Sequence, residues 1–281
     1  MKRIVSIQDI SCLGRCSLTV ALPVISAMGV ECAVIPTAVL SAHTMFPDFT
    51  CCDLTDQILP IARHWQQQKV ALDAIYTGYL ASKEQVQQVC TFFDMMKGPQ
   101  TAIIVDPAMA DHGRLYAGFP SDFPAYMARL LPYAHVAIPN ITEACLMTGT
   151  PYREEYDAAY IRQLLLDLTR LGAGRAVLTG VCLEPGRLGA MSYDSDTGAY
   201  FFYDNEKLPH TFHGTGDIFA ATVSGALTRG LSLEQAMTMA VDFTLECIRS
   251  TDTQEIWYGV EFEKALPWLW QRLEALLKQQ G

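Results

Sequence analysis

Short apolar runs alternate along this chain with longer stretches in which apolar residues recur every three or four positions. RIVSIQD (3–9) and ECAVIPTAVL (31–40) are apolar and β-branched, which predicts strands, and SLTVALPVISAMG (17–29) between them predicts a helix ending at Gly29. A polar, proline-containing loop, SAHTMFPDFTCCD, follows at 41–53, and LTDQILPIARHWQQQ then predicts a helix with Asp53 placed to cap it. LDAIYTGYL (72–80) predicts a strand and a turn, and SKEQVQQVCTFFDMMKG (82–98) a helix closed by glycine. TAIIVDPAM (101–109) reads as a buried strand running into a proline loop. Farther on come VAIPN (136–140), a helix near 142–148, another across 157–171, and the strand AVLTG (176–180).

This rhythm predicts an α/β fold: a mostly parallel central sheet with helices on both faces, a three-layer α/β/α sandwich. Two features depart from it. LGAMSYDSDTGAYFFYD (188–204) predicts a hairpin turning at Asp196–Gly198, and the remainder reads as nearly all helical apart from a loop near Asp252–Gly259. No linker, composition shift or internal repeat divides residues 1–281, so one domain is expected. Ligands of open parallel sheets sit beyond the carboxyl ends of the strands. Asp9, His43–Thr44, Gly78–Tyr79, Asp106–Pro107, Asn140 and Thr179–Gly180 all fall at such ends.

Composition narrows the partners. Half the residues are hydrophobic and 18% are charged, which excludes a largely disordered chain. The net charge of −10 comes without any Lys/Arg cluster, which argues against nucleic acid. An anionic ligand must therefore be held by helix ends, backbone amides and a metal. Gln8 and Asp9 interrupt the first apolar run too early for a secretory signal, and no window is apolar for long enough to cross a bilayer, so the cytoplasm is expected. The nine cysteines are scattered and unpaired in pattern, as expected of reduced, buried thiols. Cys12 with Cys16, or Cys51 with Cys52, could form a metal or redox pair, but no second cluster completes such a site.

The stretch FHGTGDIFAA (212–221) carries the most chemistry. The small and apolar residues that follow predict a buried helix, whose first turn leaves backbone N–H groups unpaired at the positive end of its dipole. Gly214 and Gly216 let those amides approach an oxyanion closely. Asp217 would repel a bound anion in a site built for binding alone. A phosphoryl transferase needs both parts, amides for the moving group and a base for the attacking hydroxyl. The plainer reading is a tight glycine turn with Asp217 as a helix cap. Neither a GxxxxGK[ST] loop nor a GxGxxG after the first strand is present.

GTGD opening a late helix resembles the anion-hole motif of the ribokinase-like superfamily. With SIQD, SAHT (41–44), TGYL (77–80), DPAMAD (106–111), PNITEA (139–144) and HGTGD (213–217), nearly the whole chain resembles the pyridoxal kinases. The resemblance implies an ATP-dependent kinase acting on the 5′-hydroxyl of pyridoxal, pyridoxine or pyridoxamine. It implies Asp217 as base, with Gly214, Thr215 and Gly216 supplying stabilising amides. Asn140 and Glu143 would organise Mg²⁺ and its waters, and Asp106 and Asp111 would lie near the metal, a K⁺ or Na⁺ ion and the triphosphate. Tyr116 matches a closing-loop tyrosine, and Thr179 falls where a hydroxyl meets the phosphates. His43, Thr44 and Tyr79 match the vitamer pocket. A homodimer is implied as well.

Two departures from the family stand out. Asp9 occupies a position that is usually serine and contacts the pyridine ring, where a carboxylate could favour a protonated ring nitrogen or the ammonium of pyridoxamine. The glycine-rich stretch after the first strand reads SCLGRCS. The nearest rival is a hydroxymethylpyrimidine kinase, which TAVLSAHT (37–44) partly resembles; that family typically has cysteine in place of Asp217. A sugar kinase would place paired glycines early in the chain. A non-catalytic carrier or sensor of pyridoxal phosphate would have no use for Asp217.

Overall fold

The computed structural model describes residues 1–210, 212–252 and 256–279. Its strands are β1 (Arg3–Ser11), β2 (Glu31–Leu40), β3 (Cys51–Asp53), β4 (Ala74–Thr77), β5 (Ala102–Val105), β6 (Ala110–Asp111), β7 (Arg114–Leu115), β8 (Val136–Ala137), β9 (Arg175–Val181), β10 (Arg187–Asp194) and β11 (Tyr200–Glu206). The helices are α1 (Leu18–Ala27), α2 (Thr55–Gln67), α3 (Lys83–Met96), α4 (Phe123–Met127), α5 (Ile141–Thr148), α6 (Ala158–Arg170), α7 (Thr215–Thr228), α8 (Leu233–Ser250) and α9 (Leu266–Lys278).

Alternation along the central strands divides the interior in two. Ile4 of β1, Ala74 and Tyr76 of β4, and Ile104 of β5 join one core; Val5, Ile7, Ile75, Ile103 and Val105 join the other. The first core is completed by α1, α7, α8 and α9, and the second by α2 to α6. Both sheet faces are therefore covered, as the near-continuous apolar strands required. Nine strands run in the order β11-β10-β9-β8-β5-β4-β1-β2-β3. From β9 to β2 neighbouring strands are parallel, while β3 at one edge and β10–β11 at the other are antiparallel. Because β2 and β4 flank β1 on opposite sides, the chain reverses its winding between β1 and β4, the kind of switch point at which open α/β sheets bind ligands.

The hairpin at 188–204 is present as β10–β11, with Gly198 at φ 72°. Several expectations need correction. The loop at 41–53 contains β3, whose exposed cysteines give no apolar signal and which pairs with β2 from Ala38 to Leu40. Asp53 belongs to that strand, yet its Oδ1 still accepts from the Thr55 N–H at 2.7 Å, so it serves the start of α2 from one step before the turn. The strand within 101–109 gives way to the proline loop after Val105, as expected, whereas that over 136–140 stops at Ala137, apart from a bridge between Asn140 and Thr179. The small hairpin β6–β7 and the short α4 lie in a stretch too brief to show a period. Cys16, Cys145 and Cys247 are buried free thiols as expected, but Cys12, Cys51 and Cys52 are exposed. The loop near Asp252–Gly259 is only partly covered, since 253–255 lie outside the described residues.

Candidate active site

The carboxyl ends of the parallel strands are tied to one another in a row. Gly78 donates its N–H to Ile7, Asp106 to Thr77, Ile138 to Val105 and Thr179 to Pro139. These bonds bring the ends of β1, β4, β5, β8 and β9 to one edge of the sheet. The start of α7 meets them there, and a cavity of about 120 Å³ lies between. Asp106, Tyr116, Asn140, Glu143 and Thr179 line it from the sheet side, with Gly214, Gly216 and Asp217 opposite. Residues picked from five separate stretches of sequence thus share one small space.

The two glycines have different reasons to be glycine. Gly214 caps α7 in the left-handed region, at φ 81°, and a Cβ there would sit 2.0 Å from the Arg15 carbonyl oxygen. Gly216 has helical backbone, and a Cβ on it would meet nothing within 4 Å. That space is the cavity itself, so the missing side chain leaves the first-turn amides open to an anion. Thr215 fixes the turn through its hydroxyl, which donates to the Phe212 carbonyl at 3.2 Å.

Asp217 is partly exposed at the cavity and its pKa is pushed up to about 7, first by burial and then by the charge of Asp9. The Ser17 backbone N–H opposes this by donating to the carboxylate. Ser17 reaches that orientation through a positive φ of 49°, rare for a residue with a side chain. A carboxylate poised near neutrality can take a proton from a hydroxyl.

Asn140 and Glu143 form a capping box at the start of α5. The Asn140 Oδ1 accepts from the Glu143 N–H at 2.9 Å, and its Nδ2 donates to Ala110 at 2.8 Å. Glu143 Oε2 accepts from the Asn140 N–H at 2.8 Å, and Oε1 accepts from the N–H groups of Met109 and Ala110 at 2.9 and 3.4 Å. The pair therefore clamps the loop after β5 onto α5, and both oxygens of Glu143 already have protein donors. Asp106 is 7% exposed; burial, then the charges of Glu143 and Asp217, hold its pKa well above the usual range. Tyr116 hangs from the same loop by its N–H to the Met109 carbonyl; it is 43% exposed, and its pKa is raised by partial burial and by the nearby carboxylates. Asp111 stands apart at the surface, where its carboxylate accepts from the His112 N–H at 2.8 Å.

Asp106, Glu143 and Asp217 line the same cavity, but both oxygens of Glu143 are taken by backbone N–H groups, which leaves Asp106 as the nearest free oxygen donor for a hard divalent ion. The described residues contain no group of three side chains ready to hold a metal. An ion such as Mg²⁺ keeps several waters and takes one or two carboxylates together with phosphates, so a single free carboxylate does not conflict with it.

Of the residues expected in a substrate pocket, Asp9 and Tyr79 lie close enough for the charge of Asp9 to act on the Tyr79 hydroxyl, while His43 is placed beside His213. Asp9 is 4% exposed. Tyr79 has its pKa pushed up to about 12 by burial, then by Asp9 and Cys51, and packs its ring 5.6 Å from that of Phe119. His43 accepts at Nδ1 from the Met45 N–H at 3.2 Å, and burial, then the His213 charge, lowers its pKa. Thr44 is exposed on the adjoining loop. Two neighbours escaped the sequence reading: His213, whose ring lies 5.4 Å from that of His43, and the Arg15–Ser17 segment. His213 directly precedes the glycine turn, a position that could have flagged it. Nothing local in SCLGRCS foretells the approach of its backbone to Gly214 and Asp217.

Comparison with known proteins bears on this geometry. The family model described as phosphomethylpyrimidine kinase matches residues 21–260. A Bacteroides thetaiotaomicron protein with a provisional phosphomethylpyrimidine kinase name, crystallised with pyridoxal, is 36% identical, covers 95% of each chain and superposes with a TM-score of 0.91. Pyridoxal kinase from Lactobacillus plantarum is 30% identical over 98% of this chain and 99% of its own, with a TM-score of 0.89. A pyridoxine/pyridoxal/pyridoxamine kinase of Bordetella avium is 29% identical over 276 residues, 90% of this chain and 88% of that one.

Proposed function

The chain belongs to the phosphomethylpyrimidine kinase family and is an ATP-dependent kinase, and from that premise we propose that it phosphorylates the 5′-hydroxyl of pyridoxal, pyridoxine or pyridoxamine in vitamin B6 salvage. The observation that carries this is the position of Asp217. It lies on the first turn of α7, in the same cavity as the glycine-lined amides, with its pKa near neutrality. In-line transfer follows. Asp217 takes the proton of the attacking hydroxyl, while the amides of residues 214–217 stabilise charge on the equatorial oxygens. Thr179 and Asn140 line the wall along which the triphosphate lies. A sensor of pyridoxal phosphate would gain nothing from a carboxylate beside the phosphate.

Mg²⁺ would be held by Asp106 and, through water, by Glu143, whose own oxygens accept backbone N–H groups. Bound there, it supplies charge neutralisation at the phosphates. Asp111 adds negative charge at the outer edge, where K⁺ or Na⁺ would sit, and Tyr116 closes the loop over the nucleotide. The same reading makes residues 1–281 one kinase domain, and the protein a cytoplasmic homodimer; no helix among the described residues is long and apolar enough to cross a membrane.

A hydroxymethylpyrimidine acceptor is the second reading, favoured by the family model itself and by TAVLSAHT at 37–44. Against it stands Asp217, where kinases of that kind typically carry cysteine. ADP release with Mg-ATP, offering the three vitamers, hydroxymethylpyrimidine and ribose in parallel, separates the readings. Turnover of a B6 vitamer is expected. Turnover of hydroxymethylpyrimidine alone would replace the substrate and leave the site standing.

A further inference from the structure

The Tyr76 hydroxyl of β4 and Gln8 Oε1 of β1 are buried without a hydrogen-bond partner among the described residues. Both residues are fully shielded from solvent. Ser6 of β1 pairs with Tyr76, and Gln8 stands two residues farther along the same face, with its Nε2 donating to the Ser6 hydroxyl at 2.8 Å. The Gln8 carboxamide lies across Gly78, where any Cβ would run into Oε1. An active-site carboxylate shares this face. Tyr76 pairs with Ile104 of β5, and Asp106, two residues on, continues that ladder by donating its N–H to Thr77. Across the cavity from Asp106 stands Asp217. Burial, then the charges of Asp106 and Asp217, raise the pKa of the Tyr76 phenol well above its ordinary value.

A buried hydroxyl without a partner costs stability, and phenylalanine would fill the same core position without that cost. An unsatisfied group of this kind calls for a use. Two acceptors share its face. One is Gln8 Oε1, and a hydroxyl that served it alone would be purely structural. The other is the Asp106 carboxylate, to which the Ala108 N–H already donates. A hydrogen bond to a carboxylate is roughly twice as strong as one to an amide oxygen, which favours Asp106.

We propose that Tyr76 is a positioning residue for nucleotide binding: when Mg-ATP is bound, its phenolic O–H donates to the Asp106 carboxylate and fixes which oxygen that carboxylate turns to the metal. This rests on the kinase reading above, with Asp106 as the Mg²⁺ residue, but not on which acceptor is phosphorylated. Residues that orient a metal-binding side chain typically set metal affinity by about 10- to 100-fold. The hydroxyl is then a cost to the free protein and a gain to the loaded one.

The test compares the full-length protein with its Tyr76→Phe variant, which removes one oxygen and keeps the ring. Thermal melting of the ligand-free proteins reads stability, and calorimetry reads Mg-ATP binding. Initial rates against Mg²⁺ concentration read the metal requirement. Tyr76→Phe is expected to melt at or above wild type, because the oxygen it lacks has no partner in the free protein. Its Kd for Mg-ATP and its half-saturating Mg²⁺ are expected to rise about 10- to 100-fold, with the acceptor KM within about threefold of wild type.

Unchanged Mg-ATP binding by Tyr76→Phe overturns the proposal. A hydroxyl that serves Gln8 alone gives that result together with a lower Tm, since Oε1 then loses its donor. Weaker Mg-ATP binding with a lowered Tm overturns it too, because the loss then follows from disturbed packing. Calorimetry needs no acceptor, so an enzyme that turned over no B6 vitamer would sink the substrate reading and leave this test intact. Should Tyr76→Phe fail to fold, a crystal structure of wild type with Mg-ATP decides. Tyr76 Oη about 2.5–3.0 Å from an Asp106 oxygen supports the proposal, and a hydroxyl turned to Gln8 Oε1 overturns it.

Discussion

Alanine at Gly214 and alanine at Gly216 should damage the protein in opposite ways. At Gly214 the backbone has φ 81°, which costs an L-residue about 1–2 kcal/mol, and the added Cβ would stand 2.0 Å from the Arg15 carbonyl oxygen. That contact is with backbone, so it is relieved only by moving the turn or the 14–17 segment. A total cost of about 2–4 kcal/mol is expected, which for a chain of this size lowers the Tm by roughly 3–7 °C. At Gly216 the backbone is already helical and the Cβ meets nothing within 4 Å. Alanine there gains up to about 1 kcal/mol of helix propensity, so the Tm should hold or rise. Its methyl group, however, would enter the cavity that the first-turn amides face. Loss of one such donor typically costs about 10²–10³ in kcat. Thermal melts and ADP-release rates on the two variants read both effects. A Gly216→Ala enzyme that turns over within about threefold of wild type would refute the anion cradle. A Gly214→Ala protein that melts normally would refute the steric account of the turn.

Other expectations follow from the same contacts. Glu143→Gln replaces acceptor oxygens by an amide that cannot satisfy both Asn140 and the Met109–Ala110 segment, so a loss of about 1–3 kcal/mol in thermal unfolding is expected, together with a raised KM for Mg-ATP. Asp217 has its folded pKa raised from 3.8 to about 7, so the folded state binds the proton more tightly than the unfolded state. Its ionisation therefore removes stability as pH rises from about 4 through 7, by at most about 4 kcal/mol at 1.36 kcal/mol per pH unit, and less because the carboxylate is partly exposed. Asp217→Asn should melt above wild type at pH 8 and converge with it near pH 4; a constant difference across that range would contradict the assignment.

Much of this site was legible because its parts fall where sequence rules are strong. Apolar strands with both faces buried gave β1, β4, β5 and β9 their places, and glycines ahead of a small-residue helix marked the start of α7. Asp106, Asn140 and Thr179 stood out at strand ends, and the structure brings them to one cavity. What stayed hidden depends on contacts between distant segments. β3 exists because it pairs with β2, and its own Cys51–Asp53 carries no strand signal. The positive φ of Ser17, the Arg15 carbonyl against Gly214 and the His43–His213 approach are set by how the 12–17 segment crosses the end of α7. The family resemblance cast Glu143 as a metal residue; only the hydrogen bonds show how fully its oxygens are engaged by backbone.

The central claim is that Asp217 is the base of a B6 vitamer kinase, and its most direct test is formation of phosphorylated pyridoxal by wild type and by Asp217→Asn at saturating Mg-ATP. Asparagine keeps the size and loses the proton acceptor. The account expects wild type to form pyridoxal 5′-phosphate and the variant to be about 10²–10⁴-fold slower while still binding ATP. Near-normal turnover by Asp217→Asn would contradict it.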